Sequence, residues 1–579
     1  MDWKKNWERW TSFSSLEKEL DEELNVLSEE ETQLEDSFYK YLEFGTGGMR
    51  GEMGPGTNRM NIYTIRRAAE GLARFIESRG EEAKARGVAI AYDSRHRSGL
   101  FAMETARTLG AHGIQAYIFE NLRPTPELSF AVRYLHAFAG VVITASHNPP
   151  IYNGFKVYGK DGGQFPPEPA EELVDFVNSV ENELEIETAE QSTLEQEGLL
   201  KVIGEEIDLP YNQHLETILL DPEMVKKEGG DLSIVFSPLH GTAHVPVTRI
   251  FESSGFSNVH VVAEQAEPDP EFSTVKSPNP EEKAAFELAI EQGDKLGADL
   301  LVATDPDADR IGIAVKGKDN HYQVLSGNQT GALILDFLLS QRKEKGTLPE
   351  NGIVMKTIVT SELGRVIASH YGLETMDTLT GFKFIGEKIK EFEESGEYVF
   401  QFGYEESFGY LIADFVRDKD AVQSALIIAE MALWHKKNGR TIYEALQELY
   451  EKYGCYLEDL DSLTLKGKAG VEKIEEIMHH FRSNPPEIIS GQKVTSMEDY
   501  HTGERTFLTD GKKEKIELPV SNVLKFKFED DSWFCARPSG TEPKVKFYFG
   551  VVKDDVKEAE ESLLQRKMDV MSIVHQMIQ

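Results

Sequence analysis

The chain has 579 residues, 40% apolar and 28% charged, an ordinary balance for a folded protein but too long for one hydrophobic core, so roughly three to five domains are expected. Its formal net charge of −38 argues against nucleic acid or an anionic membrane surface as partner, since both require a basic footprint. The start, Met1-Asp-Trp-Lys-Lys-Asn-Trp-Glu-Arg-Trp10, lacks the apolar segment of a secretory signal, and no run of about 18 apolar residues offers a membrane span. Two cysteines, Cys455 and Cys535, are too few for a disulfide framework and suit a reducing compartment, so a cytoplasmic protein is expected.

Residues 3 to about 43 read as acidic helix, with Trp3, Trp7 and Trp10 at the spacing of a stripe docked on the protein body. The glycine-dense stretch Phe44-Gly-Thr-Gly-Gly-Met-Arg-Gly51 reads either as a structural loop or as a close backbone approach to a ligand, with Arg50 its one cation. From 62 to about 180, helical and strand patterns alternate. A helix over 66–78 is followed by a strand at 88–92 ending in Asp93-Ser-Arg95, a helix to Leu109, a strand over 115–119, and the strand Ala139–Ile143. That alternation predicts an α/β layer with a largely parallel sheet, in which ligands gather at strand ends. Residues 181–206 are acidic and poorly patterned and read as a connection. A second α/β unit begins at Leu232-Ser-Ile-Val-Phe-Ser-Pro-Leu-His-Gly-Thr242. A third runs from about 327 to 450, and the tail from about 490 reads as a separate α+β domain.

Four polar loops carry the chemistry. Thr144-Ala-Ser-His-Asn-Pro149 follows an apolar strand, and its prolines stop strand and helix alike, so Ser146 is presented rather than packed. Alone it reads as a polar turn. In Asp305-Pro-Asp-Ala-Asp-Arg310 the aspartates alternate, so an extended chain would turn all three to one side, a cage for a hard divalent cation. An EF-hand is excluded because Arg310 stands at its glycine position and Lys316 at its glutamate position. Arg537-Pro-Ser-Gly-Thr-Glu-Pro-Lys544 combines a guanidinium, hydroxyls and glycine amides, the parts of a phosphate cradle. Gly403-Tyr-Glu-Glu-Ser-Phe-Gly409 offers acceptors suited to sugar hydroxyls.

Together, Thr144-Ala-Ser-His-Asn-Pro149, Asp305-Pro-Asp-Ala-Asp-Arg310, Glu405-Glu-Ser-Phe-Gly409 and Arg537-Pro-Ser-Gly-Thr541 resemble the α-D-phosphohexomutase superfamily, in the family's order and over nearly the whole chain. The resemblance implies an α/β fold of three related domains with mixed sheets around a central cleft, plus a C-terminal α+β domain. The spans are 1–206 with the helical extension and phosphoserine loop, 207–326 with the metal loop, 327–455 with the sugar loop, and 456–579 with the phosphate-binding loop. It implies an isomerase, an intramolecular phosphotransferase, acting on a small phosphosugar. Ser146 would carry the phosphate, and one Mg²⁺ per chain would be held by Ser146, Asp305, Asp307 and Asp309.

In that scheme phospho-Ser146 donates to a sugar monophosphate, the resulting bisphosphate turns over, and its other phosphate returns to the serine. Glucose 1,6-bisphosphate would be both intermediate and activator. By the same resemblance Lys156 is the first candidate for the general base that takes the attacking hydroxyl's proton and His147, beside the serine, the second, with Arg310 offsetting charge at the transferring group. Arg537, Ser539, Gly540 and Thr541 would hold the unreacting phosphate, and Glu405 and Ser407 the sugar hydroxyls. Lys383, Arg417 and Lys419 would complete a cationic lining, with Lys383 and Lys419 on the sugar side. The sugar loop is closest to the glucose type, so conversion of α-D-glucose 1-phosphate to glucose 6-phosphate is expected. Pentose 1-phosphates or mannose phosphates are the alternatives. A serine hydrolase lacks its Gly-x-Ser-x-Gly elbow here and leaves the aspartates without a role, and a silent phosphosugar binder would not need the full set of loops. A monomer or weak homodimer is expected.

Overall fold

The computed structural model describes residues 3–45, 47–465, 467–539 and 544–578. They form two compact units: Met1–Gly327 with Phe382–Gly403 and Ser407–Thr441, and Asn328–Gly381 with Tyr404–Glu406 and Ile442–Gln579.

The strands of the first region are β1 (Gly48–Glu52), β2 (Val88–Tyr92), β3 (Ala116–Phe119), β4 (Ala139–Ile143), β5 (Tyr152–Gly159) and β6 (Leu200–Ile203), in the sheet order β1-β5-β4-β2-β3-β6. β2, β3, β4 and β6 run parallel, whereas β5 returns antiparallel to β4 and β1 antiparallel to β5. The next sheet contains β7 (Ile234–Ser237), β8 (Val259–Val261), β9 (Leu300–Thr304), β10 (Ile311–Lys316) and β11 (Tyr322–Val324), ordered β11-β10-β9-β7-β8. The same design recurs in both. A loop-bearing strand (β4 or β9) pairs parallel on one side and turns back on the other into an antiparallel partner (β5 or β10). Such a switch from parallel to antiparallel leaves one loop at the strand's carboxyl end free to carry function. A third sheet has four strands, β12 (Gly352–Thr357), β13 (Glu374–Thr378), β14 (Val399–Glu405) and β15 (Gly409–Leu411), of which β12 and β13 are parallel.

The C-terminal sheet is antiparallel, and its eight strands are β16 (Cys455–Thr464), β17 (Ile488–Ile489), β18 (Gln492–Asp499), β19 (Glu504–Phe507), β20 (Lys513–Lys515), β21 (Leu524–Phe528), β22 (Trp533–Pro538) and β23 (Lys544–Lys553). The helix Val556–Ile578 packs against it. Three α/β domains and a C-terminal α+β domain, all with mixed or antiparallel sheets, account for the described chain.

Three sequence expectations change. The region over 3–43 is three helices, Trp3–Thr11, Lys18–Leu27 and Glu31–Phe38, rather than one. Trp10 is fully buried, its indole donating to Glu183 Oε1 at 2.7 Å, while Trp3 and Trp7 pack partly buried on the same core. The glycine-dense stretch contributes β1, where Gly48 sits at φ +116° and a Cβ would fall 1.9 Å from the Phe155 carbonyl oxygen. The segment over 181–206 is no simple connection. Its β6 closes the first sheet beside β3, with only Leu200 and Ile203 facing inward, an edge-strand pattern that shows no alternation over so few residues.

Candidate active site

The buried strand β4 delivers the chain into a sharp turn at Ser146, whose φ of +52° is rare for a residue with a side chain. The turn is pinned from below. Ser146 N–H donates to Thr144 Oγ1 at 2.8 Å, and the buried guanidinium of Arg95 donates to the backbone carbonyls of Ser146, Asn148, Pro149 and Tyr152. Asp93, equally buried, pairs with Arg95 at 3.3 Å and caps it through the Arg95 N–H. Gly154 on β5 completes the frame, because a Cβ there would lie 2.4 Å from the Thr144 carbonyl oxygen. Held this way, Ser146 Oγ donates to Asp305 Oδ2 at 2.7 Å and lies 3.2 Å from His147 Nδ1.

The aspartates converge by a different route from the extended chain expected of their alternation. β9 and β10 form a hairpin with Thr304 opposite Ile311, and the segment between them is a turn. Asp305 Oδ1 accepts from the N–H groups of Asp309 and Arg310, folding the loop back on itself, with Ala308 at φ +54°. The loop also leans on the Pro-Leu-His-Gly-Thr242 turn. Thr242 N–H donates to the Pro306 carbonyl at 2.8 Å, and Gly241 approaches Pro306 so closely that a Cβ would lie 2.4 Å from its Cα. Three carboxylates thus meet in a buried setting, with an oxygen of each within 4.8 Å of the others. Asp307 Oδ1 and Asp309 Oδ1 are buried and have no hydrogen-bond partner. Orphaned anionic oxygens in an all-oxygen set fit a hard divalent cation. Burial and the neighbouring Asp307 and Asp309 push the Asp305 carboxyl well up. Burial would raise Asp307 too, but Lys156, Asp305 and Lys419 carry it below its ordinary value, so the two neighbouring carboxyls are driven in opposite directions.

Cations gather here in spite of the acidic chain. Lys156 on β5 donates to Asp307 Oδ2 at 2.7 Å and lies 3.5 Å from Asp309 Oδ2, and Lys419 lies 3.1 Å from the latter. Burial alone would lower the Lys156 pKa, yet Asp307 and Asp309 raise it, so it stands as an ammonium. Arg310 pairs with Glu281, and Arg50 donates to Asn148 Oδ1 at 2.9 Å. Burial, with Arg310 and Arg50 close by, holds the His147 imidazole well below its ordinary pKa and therefore neutral. Lys383 is the second residue of the helix Phe382–Ser395, its ammonium over the Phe384 ring and its pKa drawn down by burial. Arg417 does not join the cluster. Its fully buried guanidinium pairs with Glu393 and donates to the Asp414 carbonyl, making it a structural pin.

In the second unit, Glu405 ends β14 with its carboxylate accepting from Gly381 N–H at 2.9 Å, and Glu406 accepts from the Thr357 and Thr360 hydroxyls at 3.2 and 3.1 Å. Ser407, which belongs to the first unit, follows in the turn to β15. Arg537 lies near the end of β22, its Nη1 3.5 Å from the Tyr548 hydroxyl, and Ser539 N–H donates to the Lys544 carbonyl at 2.7 Å. Gly540 and Thr541 lie outside the described residues.

Known proteins match along the length of the chain. The phosphoglucomutase/phosphomannomutase family matches four times, as alpha/beta/alpha domain I over 41–184, domain II over 210–318, domain III over 326–453 and the C-terminal domain over 466–562. A phosphoglucomutase of Staphylococcus haemolyticus is 36% identical over 560 residues, covering 97% of this chain and 98% of that one. The chain belongs to the phosphoglucomutase/phosphomannomutase family. As a phosphohexomutase it is an isomerase. A phosphoglucomutase of Staphylococcus aureus strain MRSA252 is 40% identical over 515 residues, 89% of this chain and 90% of its own. The fold also matches that of the exocytosis-sensitive phosphoprotein pp63/parafusin, a phosphoglucomutase from Paramecium, with a TM-score of 0.69 at 18% identity over 93% of this chain and 95% of that one.

Sequence reading of this phosphohexomutase missed the residues that hold the loops. Arg95 and Asp93 appeared only as a polar strand end. Thr125, whose hydroxyl donates to Asp307 Oδ2 at 3.1 Å and whose N–H donates to the Asp307 carbonyl, gave no signal at all. Glu281, the partner of Arg310, sits in a Pro-Glu-Glu stretch with no chemical pattern of its own. Pro-Leu-His-Gly-Thr242 was visible as a strand end, but its contact with Pro306 was not.

Proposed function

We propose that this phosphohexomutase interconverts α-D-glucose 1-phosphate and glucose 6-phosphate through a phosphorylated Ser146 and a glucose 1,6-bisphosphate intermediate. The observation that carries the reading is Ser146 Oγ donating at 2.7 Å to Asp305, a member of the one grouping of carboxylates among the described residues arranged to hold a cation. Asp305, Asp307 and Asp309 would hold one Mg²⁺ beside the serine, and bound there it would withdraw charge from the transferring phosphoryl group.

The sugar hydroxyl attacks phosphorus, its new O–P bond forms as the Ser146 Oγ–P bond breaks, and the hydroxyl proton is passed to a neighbouring group. After the bisphosphate turns over, Ser146 Oγ attacks its other phosphate and is phosphorylated again. Lys156, an ammonium between Asp307 and Asp309, supplies charge and an acidic proton instead of acting as the first base. His147, neutral and 3.2 Å from Ser146 Oγ, is the group able to accept one. Arg310 and Arg50 add positive charge near the serine, and Lys419, on Asp309, joins them there. Lys383, Glu405 and Ser407 bind the sugar, and Arg537, Ser539, Gly540 and Thr541 bind the unreacting phosphate. Arg417, bound to Glu393, has no part. Two buried thiols, Cys455 and Cys535, suit residence in the cytoplasm.

Ser146→Ala is expected to stay folded and to lose at least about 1000-fold in turnover, since no phosphoryl carrier remains. Near-normal conversion of glucose 1-phosphate by this variant, or a wild-type protein whose intact mass never shifts by a phosphate when incubated with glucose 1,6-bisphosphate, would sink the proposal. Comparing kcat/KM for glucose, mannose and ribose 1-phosphates decides the sugar, with glucose expected to lead.

A further inference from the structure

Two buried ammonium groups in the second unit play no part in the chemistry above. Lys356, at the end of β12 with its side chain 0% exposed, donates to the Thr360 carbonyl at 3.1 Å and pairs at 3.1 Å with both Glu362 and Asp377. Lys525, on β21 with its side chain 3% exposed, donates to the Ile358 carbonyl at 2.7 Å, lies 3.5 Å from Glu362 and sits 4.5 Å over the Trp533 ring. A buried lysine is costly to desolvate, and an apolar chain of the same length would fill the space, so stability alone does not account for Lys525.

Its position does. β21 pairs with β22 with Lys525 opposite Cys535, two residues before Arg537, so Lys525 belongs to the strand pair that carries Arg537. Its ammonium is bonded to the segment 357–362, whose Thr357 and Thr360 hydroxyls are 2.8 Å apart and both donate to Glu406 Oε2. Glu406 is joined to Glu405, which takes the Gly381 N–H. Hydrogen bonds, joined by the peptide links Thr357–Ile358 and Glu405–Glu406, thus connect the strand of Arg537 to the carboxylate of Glu405.

We propose that Lys525 is a positioning residue that couples the phosphate grip at Arg537 to the sugar grip at Glu405, so that a phosphate held by one sets the other for the sugar. This rests on the sugar and phosphate roles proposed above. The test is a double-mutant cycle of Lys525→Met and Glu405→Gln, read as KM and kcat for glucose 1-phosphate, with amide hydrogen exchange of Lys525→Met beside it. Each single variant should raise KM about tenfold with a smaller change in kcat, and the double variant should be little worse than either, because both break one linkage. Exchange at Gly381 and at 404–406 should speed up in Lys525→Met while the core of the C-terminal sheet stays protected. Additive kinetic losses, or unchanged exchange at those amides, would overturn the proposal, since a lysine serving only as packing predicts both. If Lys525→Met does not fold, the pair Thr357→Val and Thr360→Val cuts the same run at Glu406 while leaving both buried lysines with their carboxylates, and must give the same pattern. Should the wild type fail to turn over glucose 1-phosphate, the substrate reading fails on its own, and the exchange result still decides the coupling.

Discussion

At the scale of single residues, the site is held by groups that never touch the reacting atoms. Ser146, Ala308 and Phe408 all adopt left-handed backbone, at φ +52°, +54° and +64°, one in each of three chemistry-bearing loops. Such conformations cost about 1–3 kcal/mol and persist only where surrounding bonds enforce them. For Ser146 the enforcer is Arg95, whose planar fork reaches four carbonyls at once. A lysine keeps the charge but has no fork. Arg95→Lys is therefore expected to lower kcat about 100-fold by misplacing Ser146, with a much smaller change in KM. Steady-state kinetics on the folded variant check this, and a wild-type kcat would show that the turn holds without the fork. Arg95 was hard to find in sequence because its partners are backbone carbonyls more than fifty positions away, and carbonyls have no residue identity. Ser146 and the aspartates were easy to find because their chemistry is in the side chains themselves.

At the scale of elements, the buried parallel strands β2, β4, β7 and β9 were legible as short apolar runs. β5 was not, because it begins two residues after Pro150 and carries Asn153, Lys156 and two glycines among its apolar residues, and its place was set by pairing with β4. The helix Ala421–Lys437 shows how an element's ends answer to pH. Asp420 caps it, accepting from Val422 and Gln423 N–H groups and from the Tyr211 hydroxyl, and burial pushes its pKa up to about 6. His435 in the last turn is buried, and burial followed by Arg440 draws its pKa down to about 4. The raised aspartate contributes stability that is complete below its ordinary pKa of 3.8 and lost as pH rises through about 6. The depressed histidine contributes stability that is complete above 6.5 and lost as pH falls towards about 4. Each is worth about 3 kcal/mol, and they oppose one another over the same range. Asp420→Asn, which keeps the cap, should therefore lose stability relative to wild type as pH falls from 6.5 to 4.5, while His435→Gln should lose it relative to wild type as pH rises over that range. Urea unfolding at several pH values measures both differences. Variants running parallel to wild type would mean that neither group titrates as assigned.

At the scale of the whole molecule, a net charge of −38 repels itself. Salt shortens the screening length from about 30 Å at 10 mM to about 3 Å at 1 M, so the melting temperature should rise with sodium chloride over this range. A midpoint that is flat or falling with salt would place the excess acid in local ion pairs instead. Against that background the cations Lys156, Lys419, Arg95, Arg310 and Arg50 are concentrated around Ser146 and the aspartates, the gathering that an anionic ligand demands of so acidic a chain.

The amino-acid sequence by itself determined the α/β alternation, the four polar loops, and through them the family. Those are local features: an apolar run that must be buried, and a cluster of side chains whose chemistry needs no partner to be recognised. Only the tertiary structure decided that the aspartates converge through a turn, that Lys156 reaches them from β5, that Arg417 is committed to Glu393, and that Arg95 and Lys525 hold loops distant in sequence. Those depend on which strands pair and which backbone groups are left to satisfy, and burial settles that only when the whole chain has folded.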